Sequence, residues 1–279
     1  MIEIFFNSPY EAETVHSMLD HEQKKWKAEI VRIQEHGLQI VSTDFDEMIQ
    51  VLLIPVIVRY ILKYKEHHLM LSIIKDRFYF HEPEEQQQII HIAQSIIEGE
   101  RNEIPKVNQL PLRETPIYEA LAEFIKPNLS FALPSFIKFR LHQYVKRLNR
   151  YVEIAIEEYK LEQDYQSFIQ SLRDFVMNRE SKMKVLHIVH EKDLMVFNEH
   201  FSQLSQDDLR KHIDRSFIHK HPMYIDSALL APLVSIAPIK ICLYTDFPDF
   251  GMVQTIQNIF LERVKIFPRK KAGLQKNSE

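Results

Sequence analysis

The first forty residues alternate between apolar runs and polar turn signals in a way that predicts a strand, a helix and a hairpin. Residues 2–6 are mostly apolar, and Ser8, Pro9 and Glu11 follow in the order typical of a capped helix start. Further on, residues 29–42 contain two apolar segments on either side of Gly37. We expect this glycine to supply the positive φ of a tight hairpin turn.

The most apolar part of the chain predicts a buried helix that begins near Asp46, after a capping pair formed by Asp44 and Glu47. Pro55 predicts a kink or an early break in this helix, because proline lacks the backbone donor. The apolar run at residues 48–62 is shorter than the ~20 residues that cross a bilayer. We therefore expect no membrane span.

The middle of the chain divides into a helix, a proline-rich part and a long stretch without helix breakers. Residues 84–98 predict an amphipathic helix that ends at Gly99, and residues 99–134 then hold five of the 13 prolines. Residues 135–180 contain neither glycine nor proline, and their apolar positions recur at helical spacing. This stretch predicts one or two long helices, divided near residues 162–164.

The last third of the chain alternates between strand and helix patterns. Paired strands are predicted at residues 184–189 and 194–198, followed by a helix that Ser205 and Asp208 cap. The final elements in order are a helix at 226–237, a strand at 239–245, a helix at 249–262 and a strand at 264–267. A strand, a helix and a strand at this spacing predict a parallel crossover.

Together these patterns predict a helix-rich α+β protein. We divide it into a small N-terminal α/β unit (1–100), a proline-rich connector (101–134), a central segment of long helices (135–180), a C-terminal α/β unit with a strand–helix–strand crossover (181–268) and a basic, disordered tail (269–279).

Several segments of the C-terminal half form a recognisable set of motifs. They are QDYQSFI at 163–169, LRDFV at 172–176, IDSALL at 225–230, IAPIK at 236–240 and residues 256–264, together with Phe139, Arg140, Leu141 and Tyr144. In these segments the chain resembles the YtxC-like family of endospore-forming bacteria. The resemblance implies a role connected with sporulation. It transfers no catalytic residue, because the matching positions are mostly apolar.

The charge balance and the cysteine count change this picture little. The 35 basic and 39 acidic residues leave a net charge of −4, which does not favour nucleic acid or an anionic membrane as a general partner. Cys242 is the single cysteine and has no partner for an internal disulfide. The first residues lack the basic segment of a signal peptide. We therefore expect a cytoplasmic protein.

A cluster of basic residues is the most distinctive local feature. Within residues 138–150 five cations occur without an acidic residue, and at 100° per residue several of them share one helix face. The candidate binding face consists of Lys138, His142, Lys146, Arg147 and Arg150, with Arg140 beside it. This face either binds an anionic partner or is a solvated surface that is balanced by downstream acids. Those acids are Glu153, Glu157, Glu158 and Glu162.

The other candidate sites are weaker. His212, His219 and His221 supply three imidazoles for a metal, but no cysteine pair or HExxH motif accompanies the 14 histidines, so scattered surface histidines are the simpler interpretation. The loop at residues 245–251 follows a predicted strand, where nucleotides bind in open sheets, but Asp246 and Asp249 would repel phosphate. We expect no metal and no cofactor.

Three functions stay open at this point. The first is a non-enzymatic interaction or regulatory protein with an unknown protein partner. The second is an enzyme or metal-binding protein with a site in the C-terminal α/β unit. The third is nucleic-acid binding through a helix at residues 135–151. A deep pocket with converging polar groups would favour the enzyme, and binding that weakens steeply with salt would favour nucleic acid.

Overall fold

The protein consists of two compact units, Met1–Lys160 and Leu161–Glu279. The computed structural model describes residues 1–23, 28–101, 112–214 and 228–275. Each unit contains one four-stranded mixed sheet with helices packed on it. The predicted helix-rich α+β class is therefore confirmed. The domain boundaries drawn from the sequence are finer than this division and stay predictions.

The first sheet has the strand order β2-β3-β1-β4. Its strands are β1 (Ile2–Phe5), β2 (Ala28–Ile33), β3 (Gly37–Ser42) and β4 (Ser130–Ala132). The predicted hairpin is confirmed, since β2 pairs antiparallel with β3, while β4 runs parallel to β1. β4 belongs to this sheet although it comes from the stretch that the sequence assigned to the connector.

The turn of the β2–β3 hairpin differs from the prediction in one respect. The residue with positive φ is Gln34, at φ 52°, and not Gly37. Gly37 is needed for a different reason, because a Cβ atom there would lie 2.9 Å from the carbonyl oxygen of Ile33 and 3.0 Å from the ring of Phe5. The glycine thus permits a close approach of backbone and side chains.

The helices of the first unit include one long helical run. α1 is Pro9–Gln23, and Ser8 accepts a hydrogen bond from the Glu11 amide, which confirms the predicted cap. The run from residue 45 to residue 77 consists of α2 (Phe45–Met48), α3 (Ile54–Tyr60) and α4 (Glu66–Ser72), each followed by a π-helical segment, at Ile49–Leu53, Ile61–Lys65 and Ile73–Arg77. The remaining helices are α5 (Pro83–Ile97), α6 (Thr115–Phe124) and α7 (Leu133–Arg140).

The helical run continues past Pro55, where the sequence allowed for an early break. Pro55 is the second residue of α3 and directly follows a π-helical segment. At the start of an α-helical segment the missing N–H of proline costs little. Leu53, Ile54 and Val56 beside it are fully buried, as expected of a helix in the centre of the first core.

The long segment without glycine or proline forms one helix, α8 (His142–Met177), after α7. The predicted division near residues 162–164 is wrong. The helical pattern is interrupted at Leu141 instead, whose backbone lies at φ −88° and ψ 27°. Residues 161–164 are exposed and helical, and the boundary between the two compact units falls beside them, between Lys160 and Leu161. The polar residues 162–164 therefore lie on an exposed turn of a continuous helix and do not mark a break.

The second sheet has the strand order β6-β5-β7-β8. Its strands are β5 (Val185–His190), β6 (Leu194–Phe197), β7 (Lys240–Tyr244) and β8 (Val264–Phe267). β6 pairs antiparallel with β5, whereas β5, β7 and β8 are mutually parallel. The parallel pair β7–β8 is joined through a helix, which confirms the predicted crossover.

The helices of the second unit, besides the end of α8, are short. They are α9 (Gln206–Lys211), α10 (Leu230–Ile236), α11 (Gly251–Phe260) and α12 (Lys270–Gln275). Ser205 and Asp208 form the predicted capping box at α9. α12 lies in the tail that the sequence predicts to be disordered, and its Ala272 is buried beside Tyr244. Within the described residues no helix has the length and apolar character needed to cross a membrane.

Candidate functional site: a basic cleft in the first unit

A cleft of about 810 Å³ opens on the first unit, and its volume falls within the range of ligand-binding pockets. α8 forms one wall, the start of α6 forms another, and the last residue of the third π-helical segment completes it. Its charged side chains are four cations and two carboxylates: Arg77, Lys146, Arg147, Arg150, Glu119 and Glu153. The site therefore carries an excess of positive charge.

One carboxylate in the cleft is shared between two arginines. Arg150 Nη1 lies 3.1 Å from Glu153 Oε2, and Arg77 Nη2 lies 3.4 Å from Glu153 Oε1. Arg77 Nη1 also donates to Asn149 Oδ1 at 2.8 Å. Because the two guanidinium groups share a single negative charge, this part of the cleft keeps a net positive charge while its side chains are held in place.

The other two cations have no carboxylate partner among the described residues. Arg147 donates to the hydroxyl of Tyr151 at 2.9 Å and to the carbonyl oxygen of Leu112 at 2.9 Å, both of which are neutral. Lys146 is exposed, and within the part of the chain that the structure describes no carboxylate oxygen lies within 4.0 Å of its ammonium group. The cleft thus presents fixed positive charge that is not neutralised internally.

A buried charged network holds the wall formed by α8. Glu66 is 6% exposed and accepts hydrogen bonds from the Tyr144 hydroxyl and, at 3.0 Å, from Arg113 Nη1. Burial, followed by the negative charge of Glu66 and its hydrogen bond, raises the pKa of Tyr144. Since Tyr144 lies one turn before Arg147 and Leu148, the network positions the basic part of α8.

The structure separates the residues that the sequence placed on one basic face. Lys146, Arg147 and Arg150 line the cleft, whereas Lys138 lies on α7 and His142 is the first residue of α8, outside the lining. Because the helix is interrupted at Leu141, 100° spacing does not extend from Lys138 to Lys146. All of these side chains except Arg147 are exposed.

Arg77 and Glu119 are cleft residues that the sequence did not suggest. Arg77 is the last residue of a helical run and lies about seventy residues before the cleft residues of α8 in the chain. Its guanidinium group reaches Glu153 only because the fold brings the two elements together. No local pattern marks such a residue. The consecutive charged residues Lys75, Asp76 and Arg77 interrupt an apolar stretch, but such a break is typical of any exposed helix end.

The described residues contain no assembled metal site. Among residues 1–23, 28–101, 112–214 and 228–275, no group of three or more histidine, cysteine or acidic side chains is arranged to hold a metal ion. His212 is described, but His219 and His221 lie outside the described residues. Cys242 is buried, and burial raises the pKa of its thiol, which disfavours the reactive thiolate.

Comparison with known proteins assigns a family. Residues 51–265, more than half of the chain, match the YtxC-like family. The chain belongs to the YtxC-like family. It is 40% identical over 270 residues to the Bacillus subtilis (strain 168) protein described as "Uncharacterized protein YtxC", a match that covers 96% of this chain and 94% of that protein. No solved structure matches this YtxC-like chain.

Proposed function

We propose that the protein is a non-enzymatic interaction protein whose basic cleft binds an acidic segment of a protein partner. The observation that carries the proposal is the arrangement of Arg77, Lys146, Arg147 and Arg150 around one concave site with two carboxylates. Arginine is suited to this role because its planar fork binds carboxylates in a bidentate manner. The exposed fractions of Arg77 and Arg150, 57% and 45%, leave both accessible.

An acidic protein segment fits this site better than a nucleic acid does. Nucleic-acid footprints are stripes or patches of cations that follow a phosphate backbone. Here the basic residues of α7 do not line the cleft, and Glu119 and Glu153 stand among the cations. These carboxylates would repel a phosphate backbone, whereas a peptide can place its own backbone N–H groups or a lysine beside them.

We also propose that this interaction serves sporulation. The support is the resemblance to a family of endospore-forming bacteria, together with the match to the Bacillus subtilis relative. The cleft residues of α8 lie within the matched range 51–265.

The binding test uses fluorescein-labelled decaglutamate as a defined acidic probe, with fluorescence anisotropy as the measurement. We expect the full chain to bind this peptide, and the double variant Lys146→Glu/Arg150→Glu to bind it about tenfold more weakly, since it replaces two attractive charges by repulsive ones. Added salt should weaken binding to the unmodified protein because the contacts are exposed.

The matched control is the double variant Lys138→Glu/Arg140→Glu. It changes the net charge by the same amount on the neighbouring helix α7, outside the cleft. We expect it to keep most of the affinity. Equal losses in both double variants would contradict the proposal, and so would binding of labelled deca-thymidylate in preference to decaglutamate, which would favour the nucleic-acid function.

A further inference from the structure

The second unit contains a cavity of about 470 Å³ at the carboxyl end of its parallel strands. β5 ends at His190 and β7 ends at Tyr244, and the two strands run side by side in the same direction. In sheets with parallel strands, ligands bind at this end. Its walls combine apolar side chains from β6, α9 and α11, such as Val196, Leu209 and Met252, with polar ones such as Gln203 and Gln206.

His190 is one of the polar residues that line this cavity. Its side chain is held by a hydrogen bond of 2.9 Å between Nδ1 and Thr245 Oγ1, and the residue is 7% exposed. The hydroxyl of Thr245 is fixed in turn by the amide of Phe247, which donates to it at 2.9 Å. Within the described residues the second ring nitrogen of His190, Nε2, has no hydrogen-bond partner, and it is not among the unpaired side-chain atoms that are closed off from solvent. An accessible imidazole nitrogen of this kind can bond to a ligand.

Two aromatic rings beside His190 are exposed. Phe250 lines the cavity with its ring centroid 4.6 Å from that of His190, and Phe247 lies 6.1 Å away. They are 47% and 65% exposed. Large apolar side chains that stay accessible next to a cavity are typical of binding sites.

We propose that this cavity binds a small planar heteroaromatic molecule. Its ring stacks on Phe250 and packs against the apolar part of the lining, and a polar atom on its edge forms a hydrogen bond with His190 Nε2. Lys192 and Asp193 at the rim leave the mouth polar without a dominant charge. This site is separate from the basic cleft and does not depend on the proposed interaction with an acidic partner.

The test uses benzimidazole as the probe. It follows the ring nitrogens of His190 in the full chain by NMR, and it measures the affinity of every variant from the saturation-transfer signals of benzimidazole itself. We expect saturable shifts of these nitrogens in the unmodified protein. His190→Phe keeps a ring of similar shape but removes Nε2, and we expect it to weaken binding about fivefold, the loss of one neutral hydrogen bond. Gln206→Trp places a large side chain at the cavity from the first turn of α9 and should abolish binding.

The matched control is His200→Phe, the same substitution at a histidine of the second unit that does not line this cavity. It should bind benzimidazole as the unmodified protein does. The absence of saturable shifts at His190 in the unmodified protein would overturn the proposal, whatever the variants do. Binding that survives Gln206→Trp unchanged would overturn it as well, because the ligand would then lie elsewhere.

Discussion

The two units bury their polar side chains in different ways. In the first unit Glu66 is buried as a charged group, compensated by Arg113 and by the hydroxyl of Tyr144. In the second unit His187 and His190 are buried in the strand β5, and their partners are neutral hydroxyl groups. A buried charge depends on its partners far more than a neutral group does. The first unit should therefore be the more sensitive of the two to the loss of a single polar contact.

The largest effect is expected for Glu66→Ala. This substitution leaves the Tyr144 hydroxyl buried without its acceptor and removes the carboxylate from Arg113, and we expect it to destabilise the first unit by about 3 kcal/mol.

Tyr144→Phe removes one hydrogen bond to a charged group and should cost about 2 kcal/mol. Hydrogen exchange of amides in α8 measures both changes locally. If Glu66→Ala destabilised the first unit by less than Thr245→Val destabilises the second, the comparison between the two units would be reversed.

A smaller effect is expected for Thr245→Val in the second unit. The side chains have nearly the same shape, but valine offers no partner to His190 Nδ1 or to the Phe247 amide. We expect a cost of about 1–2 kcal/mol, measured by exchange of amides in β5 and β7. The control is Thr14→Val on α1, where the hydroxyl is exposed and bonds only to the carbonyl of Tyr10. It should change the stability of the first unit by less than that amount.

The smallest effect concerns the dependence on pH. Burial, and then the positive charge of Lys240, lowers the pKa of His187, so the unfolded chain takes up a proton more readily than the folded protein. The stability that results is present above about pH 6.5 and is lost as the pH falls through the lowered pKa. We expect His187→Phe to flatten this loss in the second unit. An unchanged pH profile, recorded by urea unfolding, would exclude His187 as its cause.

The sequence predicted those features that are determined by residues close together in the chain. Short-range signals located the strand and cap at the start of the chain, the β2–β3 hairpin, the capping box at α9 and the crossover between β7 and β8. They failed where a tertiary contact decides the outcome. Leucine is not a helix-breaking residue, yet the helix is interrupted at Leu141, which is buried in the first core.

The sequence predicted only part of the candidate site, and again it was the part formed by residues that are close together in the chain. Lys146, Arg147 and Arg150 follow from helical spacing on α8, because they lie within one element. Arg77 and Glu119 reach the cleft from other elements, and the fold alone brings them there. The cavity at His190 had a partial signal, since the sequence pointed to the loop after β7 as the place where ligands of such sheets bind. It gave no indication that a histidine of β5 lies beside Thr245.

The most direct test of the cleft as a partner site is photo-crosslinking in cells that are entering sporulation. A photoreactive amino acid replaces Gln143, which lines the cleft, and in the control it replaces Ser135 on α7, which does not. The account predicts an adduct from position 143 whose partner peptide is rich in aspartate and glutamate and which disappears in the Lys146→Glu/Arg150→Glu background. Adducts of equal yield from positions 135 and 143, or a partner peptide without acidic residues, would contradict it.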